Sequence, residues 1–139
     1  VPTFIDAMGS EGWLPLSANA AKNAQAEAVK NNMINPRFFN TSVPFQTLSA
    51  GHPSFKPDRG YWRGPNWIDQ AYFGVVGLHN YGYHEDAYKA TYKLIHNAEG
   101  VLSKGTSIRE NYHPITGKGL EAKNFSWSAG HYLLLLIND

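Results

Sequence analysis

The chain has 139 residues, 42% hydrophobic and 14% aromatic, with 12 Lys and Arg against 11 Asp and Glu; that is enough for one modest domain with a buried core. A net charge of +1, built from scattered single cations, leaves no basic footprint for nucleic acid. No apolar run approaches the about 18 residues of a membrane span, and the absence of cysteine excludes disulfides and thiolate metal sites.

Val1-Pro2-Thr3-Phe4-Ile5 opens the chain without an initiator Met, and Leu133 to Asp139 closes it straight after an apolar run, so the sequence reads as a piece of a longer domain. The Ala-rich stretch from Leu16 to Lys30 predicts a first helix with Ser17 as its cap. From Asn31 to Pro65 the prolines at 36, 44, 53, 57 and 65 predict an irregular segment of the length that usually carries function. A second helix is expected from Asn66, as cap, to Tyr81. Gly82 ends it, and a third helix over Tyr83–Ala98 buries Ala87, Tyr88, Thr91, Tyr92, Leu94 and Ile95. Two helices joined by a tight Gly turn make an αα-hairpin. Leu102 and Ile108 suggest a short helix, Asn111 to Asn124 a loop. Phe125 to Ile137 predicts a last helix, apolar on nearly every face and therefore buried on nearly every face. No strand alternation of useful length occurs, which predicts an all-α fold of helical hairpins.

Polar and aromatic groups gather where helices begin: Gly60-Tyr61-Trp62-Arg63-Gly64-Pro65-Asn66-Trp67, Ile108-Arg109-Glu110-Asn111-Tyr112, and Asn124-Phe125-Ser126-Trp127-Ser128. The rings have two readings, core filling or stacking on the faces of sugars. Glycoside hydrolysis needs two carboxyl groups, one to protonate the leaving oxygen and one, in inverting enzymes, to activate water. Glu110 is a candidate for the second, with Arg109 beside it to keep it ionised.

Tyr61-Trp62-Arg63-Gly64-Pro65-Asn66-Trp67, then Glu110-x-Tyr112, then Phe125-Ser126-Trp127-Ser128 resemble the signature set of glycoside hydrolase family 63, which includes processing glucosidases and bacterial α-glucosidases. The motif order is similar in the trehalases of family 37. The resemblance covers essentially the whole chain. It implies the C-terminal portion, residues 1–139, of a single catalytic (α/α)6 barrel, with Glu110 as base and Tyr61, Trp62, Arg63, Gly64, Trp67, Tyr112 and Trp127 on the substrate side. The family's aspartate acid belongs to an earlier Gly-Trp-Asp type motif. Nothing here matches it, Asp58 and Asp69 included. Glu121, which lacks a Tyr two residues on, is the rival base.

The expected activity is thus inverting release of glucose from α-linked di- or oligosaccharides, with the rest of the domain as partner and the isolated chain inactive. A trehalase specificity, a folded scaffold within a fused or permuted protein, and a lectin-like module are the rival readings. Periplasmic location follows from the bacterial resemblance alone. The six histidines form no His-Glu-x-x-His motif and there is no Asp/Asn-rich loop, so no metal or cofactor is expected in this chain. Calcium belongs, if anywhere, to other parts of the complete enzyme. Asn40-Thr41-Ser42 and Asn124-Phe125-Ser126 are formal glycosylation sequons without meaning in a bacterial protein.

Overall fold

A computed structural model gives the fold and describes residues 1–138. The expected first helix is two helices. A 3-10 turn, Ser10–Trp13, runs into α1, Leu14–Ser17, and after a break the chain resumes as α2, Asn23–Met33. Asn19 takes a left-handed φ of +55° at the break. The Asn80 side chain then donates to the carbonyls of Leu16 and Ser17. Ser17 caps nothing; its hydroxyl donates back to Leu14 O. The start of α2 is held by Gln25, whose side-chain oxygen accepts from the Lys22 backbone N–H at 2.9 Å. Alanine propensity alone did not carry the helix through, because Ala18 and Ala20 are exposed and bury nothing.

The proline-rich middle segment is irregular but not loose. All but one of residues 41–49 are buried, and their polar groups are paired internally, as buried backbone must be. Gln46 donates to Phe38 O at 2.7 Å, Thr47 to Pro65 O at 2.8 Å, and the Val43 N–H to Pro114 O at 2.8 Å. Phe45 adopts φ +67° within this knot and joins Trp13 and Phe39 in one ring cluster.

α3, Ile68–Asn80, and α4, His84–Asn97, form the expected αα-hairpin, with Gly82 at φ +81° in the turn. α3 is the central element. It packs on α1, where a Cβ on Gly77 would meet Leu16 Cβ at 2.8 Å, and also on α4 and α5. The buried stripe of α4 is Ala87, Ala90, Thr91, Leu94 and Ile95; Tyr88 and Tyr92, expected inside, are exposed. Asn66 does not cap α3. It is fully buried one residue before the Trp67 cap position, and its amide donates to Val43 O and Pro44 O.

The all-α expectation is corrected between residues 108 and 123. No short helix precedes Arg109. Instead β1, Arg109–Tyr112, pairs antiparallel with β2, Gly119–Lys123. The turn of this hairpin is pinned from outside. The Glu99 carboxylate accepts from Gly119 N at 2.7 Å, and the backbone at Gly117 lies so close to Asn97 O that a Cβ would sit 1.9 Å from it. The last helix, α5, Ser126–Asn138, packs against α3 and β1, with Ser128, Tyr132 and Leu135 its buried residues. Its other faces are open, with Leu133, Leu136 and Ile137 all more than half exposed. Burial on every side, expected from its sequence, is therefore not met by the described residues. The fold is mostly helical with one two-stranded sheet.

Candidate functional site

Residues 56–64 close on themselves: the Lys56 N–H donates to Arg63 O at 2.7 Å and the Arg63 N–H to Gly60 O at 3.0 Å. The closure requires glycine at 64, where φ is +146° and a Cβ would lie 2.8 Å from the Lys56 carbonyl. Tyr61, at φ +59°, turns its carbonyl toward the Trp67 indole N–H, which donates at 2.9 Å. Trp67, 3% exposed, becomes the base of a ring cluster. Trp62 stacks on it at 4.7 Å and 5°, Tyr61 stands edge-on at 5.5 Å, and Trp127, from the first turn of α5, leans in at 5.7 Å. Phe125 stacks behind Trp127 at 6.0 Å. Tyr61, Trp62 and Trp127 remain 64%, 38% and 46% exposed, so the cluster presents a broad aromatic surface while its base is locked.

Glu110 lies in the β-hairpin that leads into α5. Arg109 pairs with Lys123 and Asn111 with Leu120, so Glu110 alone faces two residues, Glu121 and Ala122. This is a β-bulge, a device found where a side chain must be re-aimed. Glu121 adopts φ +61°, and the Ala122 N–H donates to Glu110 Oε2 at 3.2 Å. The Glu110 carbonyl accepts from Ser128 Oγ at 3.0 Å, and Asn66 and Tyr112 exchange both backbone hydrogen bonds, at 2.8 and 2.9 Å. The strand bearing Glu110 is thus tied on one side to the segment leading into Trp67, and on the other to the turn bearing Trp127. The three sequence motifs meet in space. Glu110 itself is only half-buried.

Not every expected residue stands on this surface. Tyr112 is fully buried; its phenol accepts from the Arg109 N–H at 2.9 Å and packs edge-on to Tyr132, and burial raises it above the usual phenol range. Gly64 is buried, its N–H donating to Thr47 Oγ1. Arg63 is exposed and, among the described residues, pairs neither with Asp69 nor with any other carboxylate. Arg109, expected to pair with Glu110, turns instead to the Glu121 carbonyl at 2.6 Å. Two features escaped the sequence reading: the Ala122 amide and Arg59, whose Nε lies 4.0 Å from Glu121 Oε1. Both depend on left-handed backbone at non-glycine residues, for which the sequence carries no signal. A hollow of about 380 Å3 lined by Met8, Trp13, Met33 and Phe39 shares no residue with this surface. Among the described residues no three His, Asp or Glu side chains stand together as a metal site, and no helix is long and apolar enough to cross a membrane.

The chain is similar to known proteins over nearly its whole length. Residues 2–128 match the mannosylglycerate hydrolase MGH1-like glycoside hydrolase domain. The chain is 33% identical over 137 residues to mannosylglycerate hydrolase MGH1 of Selaginella moellendorffii, covering 96% of this chain and 26% of that protein. It therefore spans about a quarter of the length of that relative. The crystal structure of the family 63 mannosylglycerate hydrolase from Thermus thermophilus in complex with glucose superposes with a TM-score of 0.75 at 27% identity, over 97% of this chain and 32% of that one. Neutral trehalase Nth1 from Saccharomyces cerevisiae, at 17% identity and a TM-score of 0.77 over 97% of this chain and 24% of that one, shares the fold alone. With its three motifs joined around Glu110, the chain belongs to the mannosylglycerate hydrolase MGH1-like domains of glycoside hydrolase family 63.

Proposed function

We propose that this chain is the C-terminal portion of an (α/α)6 catalytic domain and supplies, through Glu110, the general base of an inverting glycoside hydrolase. The observation that carries the reading is the bulge. It holds one oxygen of a half-exposed glutamate on a backbone N–H, beside an aromatic surface suited to a sugar ring. In the reaction a water oxygen forms a bond to the anomeric carbon as the bond to the leaving oxygen breaks. Glu110 takes the proton of that water, and an acid outside this chain, about 6.5–9.5 Å away, protonates the leaving oxygen. The exposed rings of Trp62 and Trp127 would stack on the sugar.

Mannosylglycerate is the first substrate to test, because the curated relative at 33% identity bears that name. An α-glucoside, expected from the sequence motifs, is the second reading and draws on the glucose bound in the Thermus structure. In the complete enzyme, Glu110→Gln is expected to lower kcat by about 100- to 10,000-fold while the protein stays folded. Proton NMR of the first-formed sugar should show the anomer opposite to that of the substrate. Early appearance of the retained anomer, or full turnover by Glu110→Gln, would overturn the reading. Parallel assays on mannosylglycerate, trehalose and other α-glucobioses separate the substrates.

A further inference from the structure

Glu121 holds φ at +61° within a β-hairpin, a conformation that residues bearing a Cβ avoid. Its side chain does little there. Among the described residues the carboxylate has only the 4.0 Å contact with Arg59, and the two side chains, Glu121 and Arg59, are 44% and 79% exposed. The backbone around it is engaged by side chains of the facing strand: its carbonyl accepts from Arg109 Nη2 at 2.6 Å, and the next amide, Ala122, donates to Glu110 Oε2 at 3.2 Å. In an unbroken antiparallel ladder an inward amide meets a main-chain carbonyl of the facing strand. Here the extra residue turns the amide onto a side chain instead. Among the described residues no hydrogen bond engages the other oxygen, Glu110 Oε1.

We infer that Glu121 is a positioning residue for the hydrolytic step and acts through its backbone, its left-handed bulge aiming the Ala122 N–H at one oxygen of Glu110 and leaving the other to the attacking water. The inference rests on the reading of Glu110 as the base. It assigns no chemistry to the Glu121 carboxylate, which separates it from the alternative that Glu121 is itself the base. Glycine and asparagine adopt the left-handed conformation readily, alanine poorly, and valine least of all.

The test is kcat and KM of the complete enzyme carrying Glu121→Gly, Glu121→Asn, Glu121→Ala or Glu121→Val. The expected order in kcat is Gly and Asn above Ala, with Val lowest, by about tenfold or more, the scale on which a small misplacement of a reacting group acts. KM should change little across the series. Should Glu121→Val fail to fold, the Ala and Asn variants decide, since only Asn relieves the strain and both lack a carboxylate. Equal kcat in all variants overturns the inference. So does a loss in Asn and Gly as deep as in Val, which would put the role on the carboxylate. Full turnover by Glu110→Gln removes the reading of the base first; its inactivation alongside a flat Glu121 series removes this inference alone.

Discussion

At Trp67 the indole N–H holds the Tyr61 carbonyl while the ring lies stacked under Trp62, so its loss opens a cavity and leaves a carbonyl unpaired. Trp67→Ala is expected to destabilise the complete enzyme by about 3–5 kcal/mol, read in urea unfolding. Trp62, on the open side of the same stack, should behave differently. Trp62→Ala is expected to cost far less stability and to raise KM more than it lowers kcat, as loss of a binding platform does. A Trp62→Ala enzyme with unchanged KM would return this ring to a packing role. Both rings stand in one short motif. The sequence named them together, but only their burial, 3% against 38%, tells the base from the platform.

Among the elements, α5 is the one whose docking has a chemical handle. Tyr132 of α5 lies buried edge-on to Tyr112 of β1, and its phenol is pushed well above the usual range, first by burial and then by Tyr112 beside it. A phenol whose folded-state value exceeds its unfolded one favours the folded state below the unfolded value, about pH 10. That contribution fades as pH rises toward the folded-state value. Alkaline unfolding followed by tyrosinate absorbance should therefore begin above about pH 10, and Tyr132→Phe should move the transition to higher pH. Among the described residues the Tyr132 hydroxyl has no hydrogen-bond partner. Hence Tyr132→Phe is also expected to leave neutral-pH stability unchanged or raise it by about 1 kcal/mol. A loss of stability at neutral pH would show that the hydroxyl is paired in the complete domain. The αα-hairpin was legible because Gly82 and the period of α4 are local signals. The β-hairpin was not, since strands of four and five residues, one interrupted by a bulge, are too short to alternate.

For the molecule as a whole, the open face of α5 is the feature that points outward. Leu133, Leu136 and Ile137 are 56–67% exposed, the kind of apolar surface that marks an interface. The chain on its own is expected to self-associate in sedimentation velocity, and Leu133→Lys with Leu136→Lys to render it monomeric. The same two changes should lower the melting temperature of the complete enzyme; an unaltered melt would mean that α5 faces solvent there too. Several things followed from the sequence by itself: the predominance of helix, the helical hairpin and the gathering of polar and aromatic residues in three motifs, because propensity, glycine turns and residue spacing are local. The tertiary structure decided the rest. It broke the Ala-rich helix at Asn19, where Asn80 from a distant helix takes the carbonyls. It drew Tyr112 and Gly64 inside, and turned Arg109 from Glu110 to the Glu121 carbonyl. It also set the Ala122 amide on Glu110. Each of these joins residues far apart in the chain or rests on a backbone conformation that no residue type announces, so packing chose them and the order of residues did not.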